Sequence, residues 1–222
     1  MSDYAVTRDR VEHYFDRTAT RTWERLTSDA KVSRIRQTVR EGRERMRAEM
    51  LALLPADLTG RRVLDAGCGT GAMSEELARR GAQVTAVDIS PQLVTIARER
   101  LPAALAAQVR FHSGDMTDTA LGSFDHVMAM DSLIYYRAAD IAQVLHQLGS
   151  RTTGSIVFTV APRTPLLLAM WSAGKLFPRS DRSPTMVPQD FRQLAALTRG
   201  NLRQQARVHR GFYISDCLEY RP

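Results

Sequence analysis

The sequence predicts an α/β fold in which a mostly parallel, seven-stranded sheet is covered by helices and ends in an antiparallel hairpin. From residue 62 onward, short apolar runs alternate with stretches of helical periodicity, which is typical of a parallel sheet covered on both faces. A glycine-rich turn at 67–71 follows the first run, where the backbone must turn tightly from strand to helix. Two β-like runs follow each other at the end of the chain and predict the hairpin.

The length of 222 residues suits one core with additions and is short for two domains of ordinary size. Hydrophobic residues make up 44% and charged residues 25% of the chain, as in globular proteins, and no linker-like tract divides it. We therefore predict an N-terminal helical arm at 1–58 and a core domain at 59–222, with a cap insertion at about 162–188.

Two helical stretches make up the predicted arm. Residues 31–54 carry an apolar residue every three to four positions, which forms one stripe on a helix whose other face is Arg and Glu. Residues 8–26 also have a helical pattern, with the bulky side chains Tyr14, Phe15 and Trp23.

The core elements follow in order, with clear start and stop signals. Ser90 and Pro91 are typical of a helix N-terminus, while Gly81 and Gly149 end the helices before them. Helices are predicted at 72–80, 91–101, 139–148 and 189–197. The predicted strands are 62–65, 83–88, 109–112, 124–130, 154–160, 202–208 and 211–219.

Two irregular connections complete the order. Pro162, Pro165 and a Pro/Arg/Ser-rich segment at 178–188 interrupt the alternation after the fifth strand and indicate the insertion. His209 and Arg210 are predicted to join the last two strands.

Three acids at three strand ends predict a cofactor site. Asp65 precedes the glycine-rich turn, where a carboxylate can pair with the α-ammonium of a methionine moiety but would repel a pyrophosphate. Asp88 can accept both hydroxyls of a ribose, and Asp115 can accept the adenine amino proton while Met116 contacts the ring. The cofactor-binding candidates are Asp65, Gly67, Cys68, Gly69, Gly71, Asp88, Ile89, Asp115, Met116 and Met130.

Two alternatives stay open for this constellation. Gly67, Gly69 and Ala72 also fit a degenerate nicotinamide or flavin fingerprint, and Asp115 alone also fits a turn-capping carboxylate. The acid at the first turn and the terminal hairpin favour a methyltransferase.

The charge distribution indicates an anionic partner. The net charge is +7, and a basic excess of this kind suits nucleic acid, anionic lipid or an anionic small molecule. From Arg163 onward ten basic residues stand against four acidic ones, so the excess lies away from the predicted cofactor half.

The segment 63–71 resembles motif I of class I S-adenosylmethionine-dependent methyltransferases, which have a Rossmann-like fold. Further segments together resemble the magnesium-protoporphyrin IX O-methyltransferases of bacteriochlorophyll and chlorophyll biosynthesis, over nearly the whole chain. These segments are Tyr14-Phe15, Trp23-Glu24-Arg25, 31–50, 131–136, 176–178, 182–184 and 211–213.

The resemblance implies methyl transfer from S-adenosylmethionine to a propionate carboxylate of magnesium-protoporphyrin IX, with S-adenosylhomocysteine as the other product. Magnesium enters only as part of this tetrapyrrole. The resemblance implies that the arm and the insertion close over the macrocycle, that Tyr14 and Tyr135 are the catalytic candidates, and that further residues bind the substrate. The substrate-binding candidates are Trp23, Asp131, Tyr136, Trp171 and Arg182. The chain departs from the family pattern at Tyr135, where His is frequent, so this position offers no imidazole.

A carboxyl group with a pKa near that of glutamate, about 4.3, is ionised at neutral pH, so this reaction needs no general base. The protein must align the carboxylate with the sulfonium methyl and exclude water. A cation on the reacting carboxylate would stabilise the ground state as much as the transition state and would not accelerate the reaction. Arg182 is therefore predicted to bind the second propionate, which does not react.

Three other functions remain open: RNA methylation, methylation of another small molecule such as a quinone precursor, and a scaffold that binds the cofactor without turnover. RNA methylation is disfavoured, because Asp131-Ser132-Leu133-Ile134 stands where a base N-methyltransferase usually has Asp/Asn-Pro-Pro-aromatic.

The N-terminus lacks the apolar run of a signal peptide, which predicts a cytoplasmic location. The apolar segment 166–177, with Arg163, Lys175 and Arg179, suits peripheral contact with the inner or photosynthetic membrane. A magnesium-chelatase subunit is a further candidate partner for substrate delivery.

Overall fold

The computed structural model describes residues 3–16, 34–165, 167, 184–198 and 201–222. Its helices are α1 (Asp3–Tyr14), α2 (Arg34–Ala52), α3 (Ala72–Arg79), α4 (Pro91–Arg100), α5 (Ala138–Gly149) and α6 (Phe191–Leu197). Its strands are β1 (Arg62–Ala66), β2 (Gln83–Asp88), β3 (Val109–Ser113), β4 (Phe124–Ala129), β5 (Thr152–Val160), β6 (Leu202–Arg210) and β7 (Tyr213–Tyr220). Short 3-10 helices cover Ala103–Gln108 and Thr119–Leu121.

The strands form one sheet in the order β3-β2-β1-β4-β5-β7-β6. The first five strands are parallel, and β7 runs antiparallel to both β5 and β6. This arrangement confirms the predicted fold class. The strand order reverses between β1 and β4, and open α/β sheets bind ligands at the carboxyl ends of the strands at such a point.

Alternate strand residues divide the core into two layers, one on each face of the sheet. Leu64 and Val127 belong to one cluster together with residues of α1, α5 and α6. Val63 and Met128 belong to the other, which includes residues of α2 and α3. Helix α2 is therefore built into the core.

The terminal hairpin turns two residues later than predicted. Arg210 pairs with Tyr213, so Gly211 and Phe212 form the turn. The prediction of His209-Arg210 was wrong because Gly211, at φ 57°, provides the left-handed backbone conformation that the turn requires. A Cβ at Gly211 would lie 2.5 Å from Oγ1 of Thr38, so α2 passes directly over this turn.

Most other elements also differ from their predicted bounds by a residue or more, β5 and α1 among them. Strand β5 begins at Thr152 and includes Gly154, whose missing side chain lets the backbone approach β4: a Cβ there would lie 2.5 Å from the Asp125 carbonyl oxygen. Helix α1 begins at Asp3, before the predicted start at residue 8, and the predicted stretch beyond residue 16 lies outside the described residues.

The two ends of the predicted insertion lie side by side. Pro162 and Gln189 form a parallel bridge, with Gln189 N donating to Ala161 O at 2.8 Å and Arg163 N donating to Gln189 O at 2.9 Å. The side-chain amide nitrogen of Gln189, Nε2, also donates to the Tyr136 carbonyl oxygen at 2.8 Å. The chain thus leaves β5 and returns toward α6 at neighbouring points beside the 131–136 segment.

No helix in these described ranges combines the length and the apolar composition needed to cross a membrane.

Candidate active site

A cavity opens at the carboxyl ends of β1, β2 and β4, beside the point where the strand order reverses. The glycine-rich turn and the loops after β2, β3 and β4 line its base, and residues of α1 and α2 close over it.

The backbone of the glycine-rich turn is hydrogen-bonded to β2. Gly67 N and Cys68 N donate to the Val87 carbonyl oxygen at 2.8 and 2.9 Å. Gly67 has φ 84°, and a Cβ there would lie 2.3 Å from the Cβ of Ser132. Gly69 has φ 53°, and a Cβ there would meet nothing within 4 Å, so its backbone borders open space. This turn is a cradle that a ligand can approach at the main chain.

Gly71 shapes the turn from behind the cavity. Its N–H donates to the Cys68 carbonyl oxygen at 2.9 Å, and its φ is 86°. A Cβ at this position would lie 3.0 Å from the Cβ of Ala97, so α4 packs against it. Gly71 therefore starts α3 and is not part of the cavity wall.

Asp65 lies at the end of β1 and is 1% exposed. The Ser74 hydroxyl donates to its Oδ2 at 2.5 Å. Burial raises the pKa of Asp65 to about 7, with the Asp88 charge adding to the rise, while the Ser74 hydrogen bond and the Arg47 charge oppose it. A cationic group of a ligand would favour the ionised carboxylate.

Asp88 lies at the end of β2. Gly69 N donates to its Oδ2 at 2.8 Å and Ser90 N donates to its Oδ1 at 2.9 Å. Burial raises the pKa of this carboxyl group. Each oxygen accepts a bond from a backbone N–H, and a carboxylate has about four acceptor positions, so Asp88 keeps acceptor capacity for a ligand hydroxyl.

Asp115 follows β3 and is bonded from two directions. Thr117 donates to Oδ1 from its N at 2.8 Å and from its hydroxyl at 2.7 Å. Tyr4 of α1 donates to Oδ1 at 2.8 Å, and Arg8 Nη1 lies 3.2 Å from Oδ2. Burial would raise the pKa of Asp115, but the hydrogen bonds from these three residues hold it below its usual value. Helix α1 is thereby fastened to the cavity rim.

Asp131 follows β4 and joins elements that are distant in the sequence. Its φ of 56° is unusual for a residue other than glycine. Arg43 of α2 lies 2.5 Å from Oδ2, while the hydroxyls of Thr159 on β5 and Tyr213 on β7 donate to Oδ1 at 3.2 and 3.1 Å. One carboxylate thus connects α2, β4, β5 and β7.

Aromatic rings form the wall between α1 and the β4 loop. The rings of Tyr4 and Tyr136 stack with 5.0 Å between centroids, and Phe15 meets Tyr135 edge-on at 6.3 Å. Burial and the Asp131 charge raise the pKa of Tyr135, while the Arg43 charge opposes the rise. Tyr14 packs edge-on against Phe15 at 5.2 Å.

Most of the predicted site residues meet in this cavity. The predicted residues that line it are Asp65, Gly67, Cys68, Gly69, Asp88, Ile89, Asp115, Met116, Met130, Asp131, Tyr135 and Tyr136. Gly71 and Tyr14 are not in its wall. Trp23, Trp171 and Arg182 lie outside the described residues.

The contributions of the first two helices to the cavity were not predicted from the sequence. Tyr4 and Arg8 line the cavity from α1, and Arg40, Arg43 and Arg47 line it from α2. The α2 arginines were interpreted as the outward face of an amphipathic helix. Their spacing of three, four and seven residues was the available signal, since it places them on one helix face.

The site also contains an unpaired polar group. The Ser132 hydroxyl is buried and has no hydrogen-bond partner in the described part of the chain, yet it borders the cavity beside Gly67. Buried polar atoms are normally paired, so this hydroxyl, like the open cradle at Gly69, fits a polar ligand such as S-adenosylmethionine.

Two known families match overlapping segments of the chain. A methyltransferase domain family matches residues 63–152, and the magnesium-protoporphyrin IX methyltransferase C-terminus family matches residues 129–222. The magnesium-protoporphyrin O-methyltransferase of Rhodobacter capsulatus is 65% identical over 222 residues, which cover 100% of this chain and 99% of that protein. The Synechocystis enzyme of the same description is 29% identical over 226 residues, 99% of this chain and 96% of that one.

A crystal structure agrees with these sequence matches. Magnesium protoporphyrin IX methyltransferase from Synechocystis, crystallised with bound S-adenosylhomocysteine, superposes with a TM-score of 0.83 at 28% identity, covering 96% of this chain and 99% of that one. Taken with the identity to the Rhodobacter protein along its whole length, this similarity establishes that the chain belongs to the magnesium-protoporphyrin O-methyltransferase family.

Proposed function

We propose that the protein transfers the methyl group of S-adenosylmethionine to a propionate carboxylate of magnesium-protoporphyrin IX, giving the monomethyl ester and S-adenosylhomocysteine. The observation that carries this proposal is the 65% identity to the Rhodobacter capsulatus magnesium-protoporphyrin O-methyltransferase over the full length of both chains. Residues 129–222, which match the magnesium-protoporphyrin-specific family, include Asp131, Tyr135 and Tyr136 in the cavity wall.

The three strand-end acids are proposed to bind the cofactor. Asp65 would pair with the α-ammonium, because its buried carboxylate, which accepts from the Ser74 hydroxyl, lines the cavity. Asp88, whose carboxylate lies beside the glycine-rich turn, would accept the ribose hydroxyls. Asp115 would accept the adenine amino proton.

Apolar side chains are proposed to hold the rest of the cofactor. Ile89 and Met116 would contact the adenosine, next to the acids that they follow in the chain, and Met130 would lie beside the methionine part. The bound cofactor supplies an electrophilic methyl group on a sulfonium.

The propionate is ionised at neutral pH, so the protein has no proton to remove. Tyr135 suits the remaining task of orientation. Because burial and the nearby Asp131 charge raise its pKa, its hydroxyl stays protonated at neutral pH and acts as a hydrogen-bond donor. A donor of this kind can hold a carboxylate oxygen in line with the methyl group, and alignment lowers the barrier substantially. This orientation does not require the histidine that is frequent at this position in the family.

Tyr14 is proposed to act behind Tyr135 as a positioning residue, because it packs on Phe15, which in turn meets the Tyr135 ring. Asp131 is proposed to shape the substrate side of the cavity through its bond to Arg43. Trp23 and Trp171 remain proposed contacts of the macrocycle, and Arg182 the proposed partner of the second propionate.

The test is a methyl-transfer assay with labelled S-adenosylmethionine and three acceptors: magnesium-protoporphyrin IX, metal-free protoporphyrin IX and transfer RNA. We expect labelled ester with the metallated porphyrin alone. Label in RNA, or none in any acceptor, would overturn the proposed function.

Tyr135→Phe provides the matched test of orientation, since it removes only the hydroxyl. We expect kcat to fall while the affinity for S-adenosylhomocysteine is unchanged. An unchanged kcat would remove Tyr135 from the mechanism.

Peripheral contact with an anionic membrane and delivery of the porphyrin by a magnesium-chelatase subunit are further proposals. The membrane proposal depends on the basic residues around the segment 166–177, in which Leu167, the one described residue, is buried. Co-sedimentation with phosphatidylglycerol vesicles, but not with phosphatidylcholine vesicles, would support it; failure to sediment with either would remove it.

A further inference from the structure

The segment that carries Tyr135 is hydrogen-bonded to the chain that returns from the predicted insertion. Val187 N donates to the Ile134 carbonyl oxygen at 2.8 Å, and Nε2 of Gln189 donates to the Tyr136 carbonyl oxygen at 2.8 Å. These two carbonyl groups stand on either side of Tyr135 in the chain. The backbone around Tyr135 is therefore held in place by the end of the insertion.

Gln189 is itself attached to the sheet through its backbone. Its N–H donates to the Ala161 carbonyl oxygen at 2.8 Å, and its carbonyl oxygen accepts from Arg163 N at 2.9 Å. Ala161 directly follows β5, so these bonds give Gln189 a fixed position at the end of that strand. The residue is only 5% exposed, so little water can compete for its side-chain amide.

The side chain of Gln189 meets a requirement that few other residue types satisfy. Its amide nitrogen donates to two carbonyl oxygens, those of Tyr136 and Val187, each at 2.8 Å. An amide NH2 has two N–H groups and no charge, so it serves both acceptors without the burial of an ion. An ionised glutamate would place a second acceptor against both carbonyls, and a methionine would provide no donor.

The rings of the same segment contact a different element. The Tyr136 ring stacks on Tyr4 of α1, and the Tyr135 ring meets Phe15 edge-on. Helix α1 thus contacts the side chains of this segment, while Gln189 holds its main chain. Loss of the Gln189 amide would let the main chain shift and carry the Tyr135 hydroxyl with it.

We propose that Gln189 is a positioning residue that sets the orientation of the Tyr135 hydroxyl toward the reacting propionate. This role rests on the proposed function, in which Tyr135 orients that carboxylate. Gln189 is not among the described residues that line the cavity, so it acts through the main chain of its neighbours. A misplacement of about 1 Å can lower the rate of an enzyme about 100-fold. Gln189 should therefore affect kcat and not the affinity for the cofactor.

The test compares Gln189→Met and Gln189→Glu with the wild type in the methyl-transfer assay with magnesium-protoporphyrin IX. We expect kcat to fall about tenfold or more in both variants. Calorimetric titration should give the wild-type affinity for S-adenosylhomocysteine, which also shows that the variants fold. Gln193→Met is the matched control, because Gln193 lies on α6 and is exposed. It should change neither quantity.

A double-mutant cycle distinguishes this role from a general structural one. In a Tyr135→Phe background, Gln189→Met should change kcat less than about twofold, because the hydroxyl that Gln189 positions is already absent. Losses that multiply in the double variant, an equal loss of S-adenosylhomocysteine affinity, or a wild-type kcat in both Gln189 variants would overturn the assignment. A wild-type protein that forms no ester would instead remove the proposed function, and this role with it.

Discussion

At the scale of single residues, the protonation of Asp65 should control cofactor binding. Its pKa of about 7 means that the carboxyl group gains a proton as the pH falls through neutrality. Because the proposed ammonium contact requires the ionised form, affinity for S-adenosylhomocysteine should be lost as the pH falls through this value. We expect binding about tenfold weaker at pH 6 than at pH 8.

Titration calorimetry of the wild type and of Asp65→Asn across this range checks the prediction. The amide cannot ionise, so the variant should bind weakly and with a flat pH profile. A slope that persists in Asp65→Asn would assign the pH dependence to another group.

The close contact at Gly67 should make it far less replaceable than Gly60, another glycine with positive φ. In Gly67→Ala a new Cβ would lie 2.3 Å from Ser132 Cβ, while in Gly60→Ala, at φ 75°, it would meet nothing within 4 Å. Both variants suffer backbone strain of about 1–2 kcal/mol, and only Gly67→Ala adds an overpacking cost of about 1–3 kcal/mol. Urea unfolding of the two variants measures the difference. Equal losses would mean that the 131–136 loop shifts without cost.

At the scale of elements, α1 depends on polar contacts with Asp115. The pair Tyr4→Phe and Arg8→Gln removes two hydrogen bonds that link this helix to the cavity rim. We expect the amides of α1 to exchange faster in the double variant, corresponding to about 1–2 kcal/mol of local stability, because bonds to a charged group are worth this much when partly exposed.

Hydrogen exchange with mass spectrometry resolves this segment. Asp9→Asn is the control, since it removes only the exposed partner of Arg8 and should have little effect. Unchanged exchange in the double variant would show that Val11 and Phe15, both buried, are sufficient to hold the helix.

The sequence predicted the core elements well because their signals are local. Strand β2 was predicted to the residue, since an apolar run ends there at an acid. Strand β5 begins two residues before its predicted start. The hairpin turn lies two residues after its predicted position, because Gly211 adapts to the close approach of α2, which is distant in the sequence. The start of α1 could not be predicted for the same reason, since its contact residue, Asp115, lies 111 positions from Tyr4.

In the site, too, residues with a local sequence signal were predicted and residues placed by distant contacts were not. The acids at the ends of β1, β2 and β3 were found from the sequence, because parallel strands bring their carboxyl ends to one edge. The cations of α2 were missed, because helical periodicity cannot tell whether a polar face meets solvent or a cavity.

At the scale of the whole molecule, α2 should be indispensable for folding. Met46 and Met50 are fully buried among residues of the sheet, including Val63, Val208 and Cys217. We expect the fragment 59–222 to lack a cooperative thermal transition. In the full chain, Met46→Ala should cost about 2–5 kcal/mol and Arg45→Ala less than about 0.5 kcal/mol.

Circular dichroism of the fragment and urea unfolding of the variants provide the measurements. A fragment that melts cooperatively would mean that residues 1–58 are an appendage and that the Met46 pocket closes without them.

The bridge between Pro162 and Gln189 has a consequence for how such enzymes diverge. Because the chain leaves β5 and returns toward α6 at adjacent points, the segment between them is inserted at a single site, and its length changes the closure entropy only slightly. Recombination could therefore exchange this segment between related methyltransferases without disturbing strand register. The preference for a methyl acceptor could then evolve separately from the use of the cofactor.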